Sequence, residues 1–248
     1  MKSRHVEGIS VVLPAFNEQG NVRHAVERAR AAATRLADQV EVVVVDDGST
    51  DGTAEEARQA GARVVSHGRN RGYGAALRTG FAAANQSWIF QMDCDNQFDP
   101  EELDKLVLLA ENAQIIIGVR AQRADDWRRI WAGRAWNQLC RLAFGLIVRD
   151  IDCGFKLLNR AAIMGLDLNS DGAGISLEIC VTARRAGLRI GEVEVQHHPR
   201  TTGSPTGLRS HVVARGLLEL YRLRRRIGRQ TRPPLTASTA SMNSRLHQ

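Results

Sequence analysis

Residues 92–100 read Met-Asp-Cys-Asp-Asn-Gln-Phe-Asp-Pro, which sets the oxygen donors of Asp93, Asp95 and Gln97 at positions i, i+2 and i+4. Hard carboxylate and amide oxygens at that spacing suit one Mg²⁺ or Mn²⁺ ion, with coordination positions left for water and phosphate oxygens. The chemistry implied is a divalent cation carrying a diphosphate. The same residues also suit an acidic turn that caps a helix. Asp99-Pro100-Glu101-Glu102 offers an N-cap, a proline at the first helical position and a glutamate at the third. A D-x-D pair alone does not decide between the two. The apolar run at 88–92 predicts a buried strand, so in either case the carboxylates stand at a strand's carboxyl end, where open α/β sheets bind ligands.

Other positions carry weaker signals. Asp47, in the run Asp-Asp-Gly-Ser-Thr-Asp-Gly-Thr at 46–53, is placed to accept hydrogen bonds from a base or ribose, although these residue types also make ordinary turns and caps. Glycines and arginines gather at 69–74 ahead of a helix, where backbone N–H groups meet anions. No G-x-G-x-x-G follows the first strand, which argues against a dehydrogenase. Arg120 ends another predicted strand. Glu178 reads as a solvated or strand-bridging charge and not as a base. His197 and His198 adjoin on a strand end and so point to opposite sides, which disfavours a shared metal. No Ser-His-Asp or Cys-His set is evident.

These side chains need a sheet to hold them. Apolar runs at 9–13, 42–45, 62–66, 88–92, 114–119 and 188–196 predict strands, with one more after the acidic turn at Asp150. Helical spacing predicts helices at 21–37 and 54–60, after Gly72, around 103–110, along a tryptophan- and arginine-bearing stretch at 130–146, at 175–186, and from 208 to 229. Strands alternating with helices make an α/β domain, and 248 residues with 43% hydrophobic content suffice for one large domain.

No run reaches about 18 apolar residues and the first ten lack a signal-peptide core, so a cytoplasmic body is expected. Cys94, Cys140, Cys153 and Cys180 form no C-x-x-C pair, against zinc or a disulfide framework. A net charge of +7 calls for an anionic partner. The arginines crowd into the last quarter with few aromatics among them, which favours membrane or phosphate over nucleic acid. Residues 208–230 predict a basic amphipathic helix, for a membrane surface or a partner helix, and 231–248 a disordered tail. The tryptophan-bearing helix fits either a membrane interface or packing on the sheet.

Six motifs then fall in order at successive strand ends: P-A-F-N-E at 14–18, V-D-D-G-S-T-D-G-T at 45–53, M-D-C-D-N-Q at 92–97, I-G-V-R at 117–120, D-I-D-C-G-F-K at 150–156 and H-P-R-T-T-G-S at 198–204. Together they resemble the inverting family 2 glycosyltransferases, and within them the dolichyl-phosphate mannose synthase group and its bacterial polyprenyl-phosphate relatives. The resemblance implies a GT-A fold over 1–207, a Rossmann-like mixed sheet flanked by helices. It implies that Pro14, Phe16, Glu18, Val45 and Asp47 hold the nucleoside of a nucleoside-diphosphate sugar. Asp93, Cys94, Asp95 and Gln97 then meet the diphosphate and a Mg²⁺ or Mn²⁺ ion, with Arg120, Arg129 and Arg200 near the phosphates. Phe16 stands where the family has tyrosine. Ser204, Pro205 and Thr206 replace the end of the family's R-x-x-G-E-S-K loop, so its lysine is missing and Arg209 is the nearest substitute.

The acceptor implied is a polyprenyl phosphate at the inner face of the membrane, reached by peripheral contact or through a membrane-protein partner. Such an acceptor is anionic at neutral pH and attacks without a general base. The remaining tasks are neutralising the leaving nucleoside diphosphate and aligning the attack in line, which inverts the anomeric centre. A hydroxyl acceptor would instead need a base such as Asp150 or Asp152. A membrane-docked binding module without turnover is the rival from another class.

Overall fold

Seven strands form among the described residues: β1 Val6–Ala15, β2 Ala37–Asp46, β3 Arg63–Ser66, β4 Trp88–Met92, β5 Ile115–Arg120, β6 Phe155–Asn159 and β7 Ile190–Val195. The computed structural model describes residues 5–121, 127–199 and 210–229. The helices are α1 Val22–Thr34, α2 Thr53–Gln59, α3 Tyr73–Ala83, α4 Leu103–Val107, α5 Trp127–Phe144, α6 Arg160–Met164, α7 Ile175–Arg185 and α8 Ser210–Arg229. The strands make one mixed sheet in the order β3-β2-β1-β4-β6-β5-β7.

Parallel pairing of β1 with β2 runs from Val6 opposite Ala37 to Ala15 opposite Asp46, well beyond the apolar cores at 9–13 and 42–45. This pairing also corrects the first helix, which stops at Thr34 and not at 37. Leu36 and Ala37 are buried as the spacing requires, but they enter the sheet, and the Val6 N–H donates to the Leu36 carbonyl at 2.9 Å. Side chains of β1, β2 and β4 such as Val11, Leu13, Val43, Val45 and Phe90 are wholly inaccessible, as expected where helices cover both faces. Each such side chain contributes about 1.5–3 kcal/mol on burial. Polar residues interrupt the apolar runs of β1, β4 and β6: Ser10, Gln91 and Lys156 are equally inaccessible.

One reversed strand shapes the rim where the chemistry sits. β6 is antiparallel to both β4 and β5, while the other neighbouring pairs are parallel. β6 therefore starts where β4 ends, with Phe155 opposite Met92. The carboxyl ends of β1, β2, β4 and β5 thus share an edge with the turn that precedes β6. The strand order also switches direction beside β1, and such crevices bind ligands in open α/β sheets.

Helix α8 packs on this body. Leu223 is buried in the main core, the Gly174 N–H donates to Glu219 Oε2 at 2.9 Å, and Arg226 pairs with Glu178. Glu178, expected as a solvated or strand-bridging charge, is fully buried and also accepts the backbone N–H groups of Asn169 and Ser170. Sequence periodicity places a residue on a helix face but does not say which neighbour covers it. The expected tail at 231–248 lies outside the described residues.

Candidate active site

Asp93 follows directly on β4, half-buried at the rim. Its Oδ1 accepts a hydrogen bond from the Tyr73 hydroxyl at 2.8 Å, and the Gln91 amide donates to that hydroxyl at 3.1 Å. On its other side, a Cβ placed on Gly154 would stand 1.9 Å from Asp93 Oδ2, so glycine at the start of β6 leaves the space the carboxylate fills. Cys94 turns inward and is buried, and Asp95 returns toward the surface. Asn96 adopts a left-handed φ of 56° that turns the chain, and Asp95 Oδ1 accepts the Gln97 N–H at 3.2 Å. Gln97, expected as a third oxygen donor, uses its amide nitrogen on the His198 carbonyl at 3.1 Å, while the His198 N–H donates to its carbonyl at 2.8 Å. It straps the acidic loop to the segment after β7. Beyond it, Asp99 caps as expected by accepting the Glu101 N–H, but the helix opens as a 3-10 turn and Glu102 reaches away to the Gln196 N–H.

Burial and the neighbouring Asp95 charge raise the Asp93 pKa to about 6, against the pull of Tyr73, Lys156 and Arg120. Two repelling carboxylates on one short loop suit a hard divalent ion. Among the described residues no three His, Cys, Asp or Glu side chains converge as a metal-binding group. Two carboxylates with phosphate and water oxygens to complete the shell are a donor set of the kind Mg²⁺ or Mn²⁺ takes. Beneath the loop Lys156 is fully buried, donating to the Cys153 carbonyl and, at 3.4 Å, to the Ser176 hydroxyl.

Arg120 and Asp150 form a closed pair at the same rim. Nε and Nη2 of the guanidinium donate to the two carboxylate oxygens at 2.7 Å each. Burial opposes the charge of Arg120, but its bonds to Asp150 outweigh this and hold its pKa above the ordinary arginine value. Asp150 is therefore engaged with Arg120, which counts against the free base expected for a hydroxyl acceptor. The side chain of Arg129 lies outside the described residues, as do Arg200, Thr206 and Arg209.

At the carboxyl end of β1, Pro14 pairs with Val45, and Phe16 just beyond is 45% exposed. Glu18 accepts the Asn21 side-chain amide at 2.6 Å and donates its N–H to the Thr53 hydroxyl at 2.8 Å, tying the end of β1 to the start of α2. Asp47, implied as a contact to the nucleoside, already has partners within the protein. It is buried, and its carboxylate takes His67 Nδ1 at 2.7 Å, the Arg71 N–H at 2.9 Å and the Gly72 N–H at 2.8 Å. In this structure it brackets the loop that opens α3.

No sequence motif pointed to Tyr73 or Gln91 as partners of the acidic loop, or to burial of the Lys156 that ends the 150–156 motif. The available signal was a polar residue inside each of two otherwise apolar strands, and these two residues face each other across the β4–β6 pair.

A Rossmann-like mixed sheet with an acidic pair after a central strand defines the GT-A class of glycosyltransferases. This chain belongs to glycosyl transferase family 2, whose family model matches residues 10–166, more than half its length. It is similar to the undecaprenyl-phosphate 4-deoxy-4-formamido-L-arabinose transferase of Serratia proteamaculans (strain 568), at 34% identity over 205 residues, covering 80% of this chain and 62% of that protein. The enzyme of the same name from Aeromonas hydrophila is 31% identical over 210 residues, with coverages of 82% and 64%. The chain thus spans less than two thirds of the length of these relatives. Among solved structures, glucosyl-3-phosphoglycerate synthase from Mycobacterium tuberculosis in complex with Mn²⁺, uridine-diphosphate-glucose and phosphoglyceric acid aligns with a TM-score of 0.72. The two are 25% identical, with 88% of this chain and 80% of that chain covered.

Proposed function

We propose that this glycosyltransferase moves a hexose from a nucleoside-diphosphate sugar of the GDP-mannose or UDP-glucose type to a polyprenyl phosphate at the cytoplasmic membrane surface, with inversion. The observation that carries this reading is the pairing at the rim: two carboxylates on one loop, and beside them an arginine whose partner carboxylate is already engaged. Asp93 and Asp95 would hold Mg²⁺ or Mn²⁺, which supplies neutralisation of charge on the departing diphosphate. Arg120, fixed in orientation by Asp150, adds a preorganised positive field at the same edge. The exposed ring of Phe16 offers a face for the base. An acceptor that arrives as a phosphate anion needs no proton removed, which agrees with the commitment of Asp150 to Arg120. The names of the curated relatives support a polyprenyl-phosphate acceptor.

Membrane contact is proposed through α5 and α8. On α5, Trp131, Ala135, Leu139 and Leu142 follow one another at spacings of four, four and three and are all exposed, Trp131 at 64% and Leu142 at 76%. α8 runs alongside in the same direction, with Gly216 beside Trp136 and Arg224 reaching the Ala143 carbonyl, and it leaves Leu217 and Tyr221 exposed. Arg134 lies over the Trp131 ring and Arg225 over Tyr221. An apolar strip edged by arginines suits the interface of an anionic bilayer. No helix among the described residues is long and apolar enough to cross a membrane.

The test is a transfer assay with Mn²⁺ in which labelled GDP-mannose and UDP-glucose are offered with undecaprenyl phosphate, with phosphoglycerate and with a simple sugar. The expected result is label in the lipid fraction. Transfer only to phosphoglycerate or to the sugar refutes the lipid acceptor, and nucleotide release without any transfer refutes the reading as a whole.

A further inference from the structure

Tyr73 is clamped from both sides before its side chain reaches the acidic loop. Ahead of it, Asp47 holds the Arg71 and Gly72 N–H groups, and Gly72 takes a φ of 102° that a side chain rarely adopts. Behind it, the N–H groups of Gly74 and Ala75 donate to the Asp171 carbonyl at 2.8 and 3.3 Å. A Cβ on Gly74 would stand 2.4 Å from the Ser170 carbonyl oxygen, so the backbone at this point has no room to drift. The phenol then bridges two groups from one strand and the loop after it, Gln91 and Asp93.

The direction of this chain of hydrogen bonds is fixed by charge. An ionised carboxylate only accepts, so the phenol O–H donates to Asp93 Oδ1, and the phenol oxygen is left to accept from the Gln91 amide nitrogen. That orientation leaves Gln91 Oε1 buried with no hydrogen-bond partner among the described residues. A turned amide would give this oxygen the phenol proton, but it would take that proton from Asp93. The charge-assisted bond to Asp93 therefore prevails over the unpaired oxygen. With Oδ1 held by Tyr73 and Oδ2 against Gly154, the carboxylate has one orientation.

We propose that Tyr73, backed by Gln91, is a positioning residue that presets Asp93 for the divalent cation. This rests on the reading of Asp93 and Asp95 as the metal-binding pair. Its effect passes through the carboxylate, as partners of metal ligands commonly do.

The test measures Mn²⁺ affinity directly, from the free-ion electron paramagnetic resonance signal, with saturating UDP or GDP, whichever the wild-type protein binds. Tyr73→Phe should raise the Mn²⁺ Kd by about 10–100-fold. Turnover of that variant should recover as Mn²⁺ is raised, a rescue that a merely structural defect would not show. Gln91→Met should weaken Mn²⁺ binding in the wild-type background and add nothing in the Tyr73→Phe background. A wild-type Kd in Tyr73→Phe, while Asp95→Ala loses the ion, overturns the positioning role and leaves the metal reading intact. Additive losses in the double variant overturn the link through Gln91. Equal Mn²⁺ binding by wild type and Asp95→Ala overturns the metal reading, and the positioning role with it.

Discussion

Adding one methyl group at residue 154 displaces Asp93 without touching any charge or oxygen donor. A Cβ there would lie 1.9 Å from Oδ2, 2.4 Å from Cγ and 2.8 Å from Oδ1 of Asp93, whereas ordinary contact begins at 3.4 Å. In Gly154→Ala the carboxylate must therefore retreat by about 1.5 Å, the difference between 3.4 and 1.9 Å. That movement breaks the 2.8 Å bond from Tyr73 and shifts the oxygens that would meet the cation. A misplacement of about 1 Å costs on the order of 100-fold in rate, close to 2.7 kcal/mol of transition-state stabilisation. Overpacking at the site should cost about 1–3 kcal/mol of folding stability. Steady-state kcat/KM for sugar transfer at several Mn²⁺ concentrations, with urea unfolding in parallel, measures both effects. Gly165→Ala is the control, since a Cβ there meets nothing closer than the Ala162 carbonyl at 3.4 Å. If Gly154→Ala keeps kcat/KM within about threefold of wild type, the placement of Asp93 does not govern turnover and the reasoning fails.

The Arg120–Asp150 pair is mostly buried, so Asp150→Ala leaves an uncompensated guanidinium and should cost about 3–5 kcal/mol in urea unfolding; a loss below about 1 kcal/mol contradicts the closed pair. Burial and the neighbouring Asp95 charge push the Asp93 carboxyl up to about 6, against 3.8 for an unperturbed one. Its contribution to stability is therefore complete below pH 3.8 and lost as pH rises through about 6. The stability difference between wild type and Asp93→Asn should fall across that window, and a flat difference refutes the assignment. On the membrane face, Leu142→Ser should weaken flotation with anionic vesicles roughly tenfold, as loss of one buried leucine implies. Arg225→Gln should weaken it on anionic vesicles and leave neutral ones unchanged, whereas binding insensitive to both substitutions places the contact elsewhere.

The sheet was legible because its central strands are buried on both faces and their residues announce it: Val42 to Val45 and Trp88 to Met92 read as strands directly. Boundaries were less legible, since Leu36 and Ala37 satisfy a helical stripe and a strand start equally well, and only pairing with Val6 decides. Of the site, Asp93 and Asp95 stood out by spacing and residue type. Tyr73 did not, because its link to Asp93 depends on how α3 is anchored by loops remote in sequence. The internal partners of Asp47 were hidden for the same reason, as His67, Arg71 and Gly72 lie on a later loop. Glu178 was misread because burial by α8 is a tertiary fact with no local trace.

The backward run of β6 has a consequence for how such a protein can diversify. A parallel neighbour for β5 would need a crossover from one end of the sheet to the other, fixing a minimum length and a covering helix. Here the chain leaves β5 at Arg120 and re-enters β6 at Phe155 from the same edge, after an excursion that includes α5 and the Asp150 turn. Because both ends lie on one edge, a change of length within that excursion leaves the register of every strand as it is, provided the Arg120–Asp150 pair and Gly154 are kept. A chain built this way can vary that excursion and keep intact the strand end that carries Asp93 and Asp95.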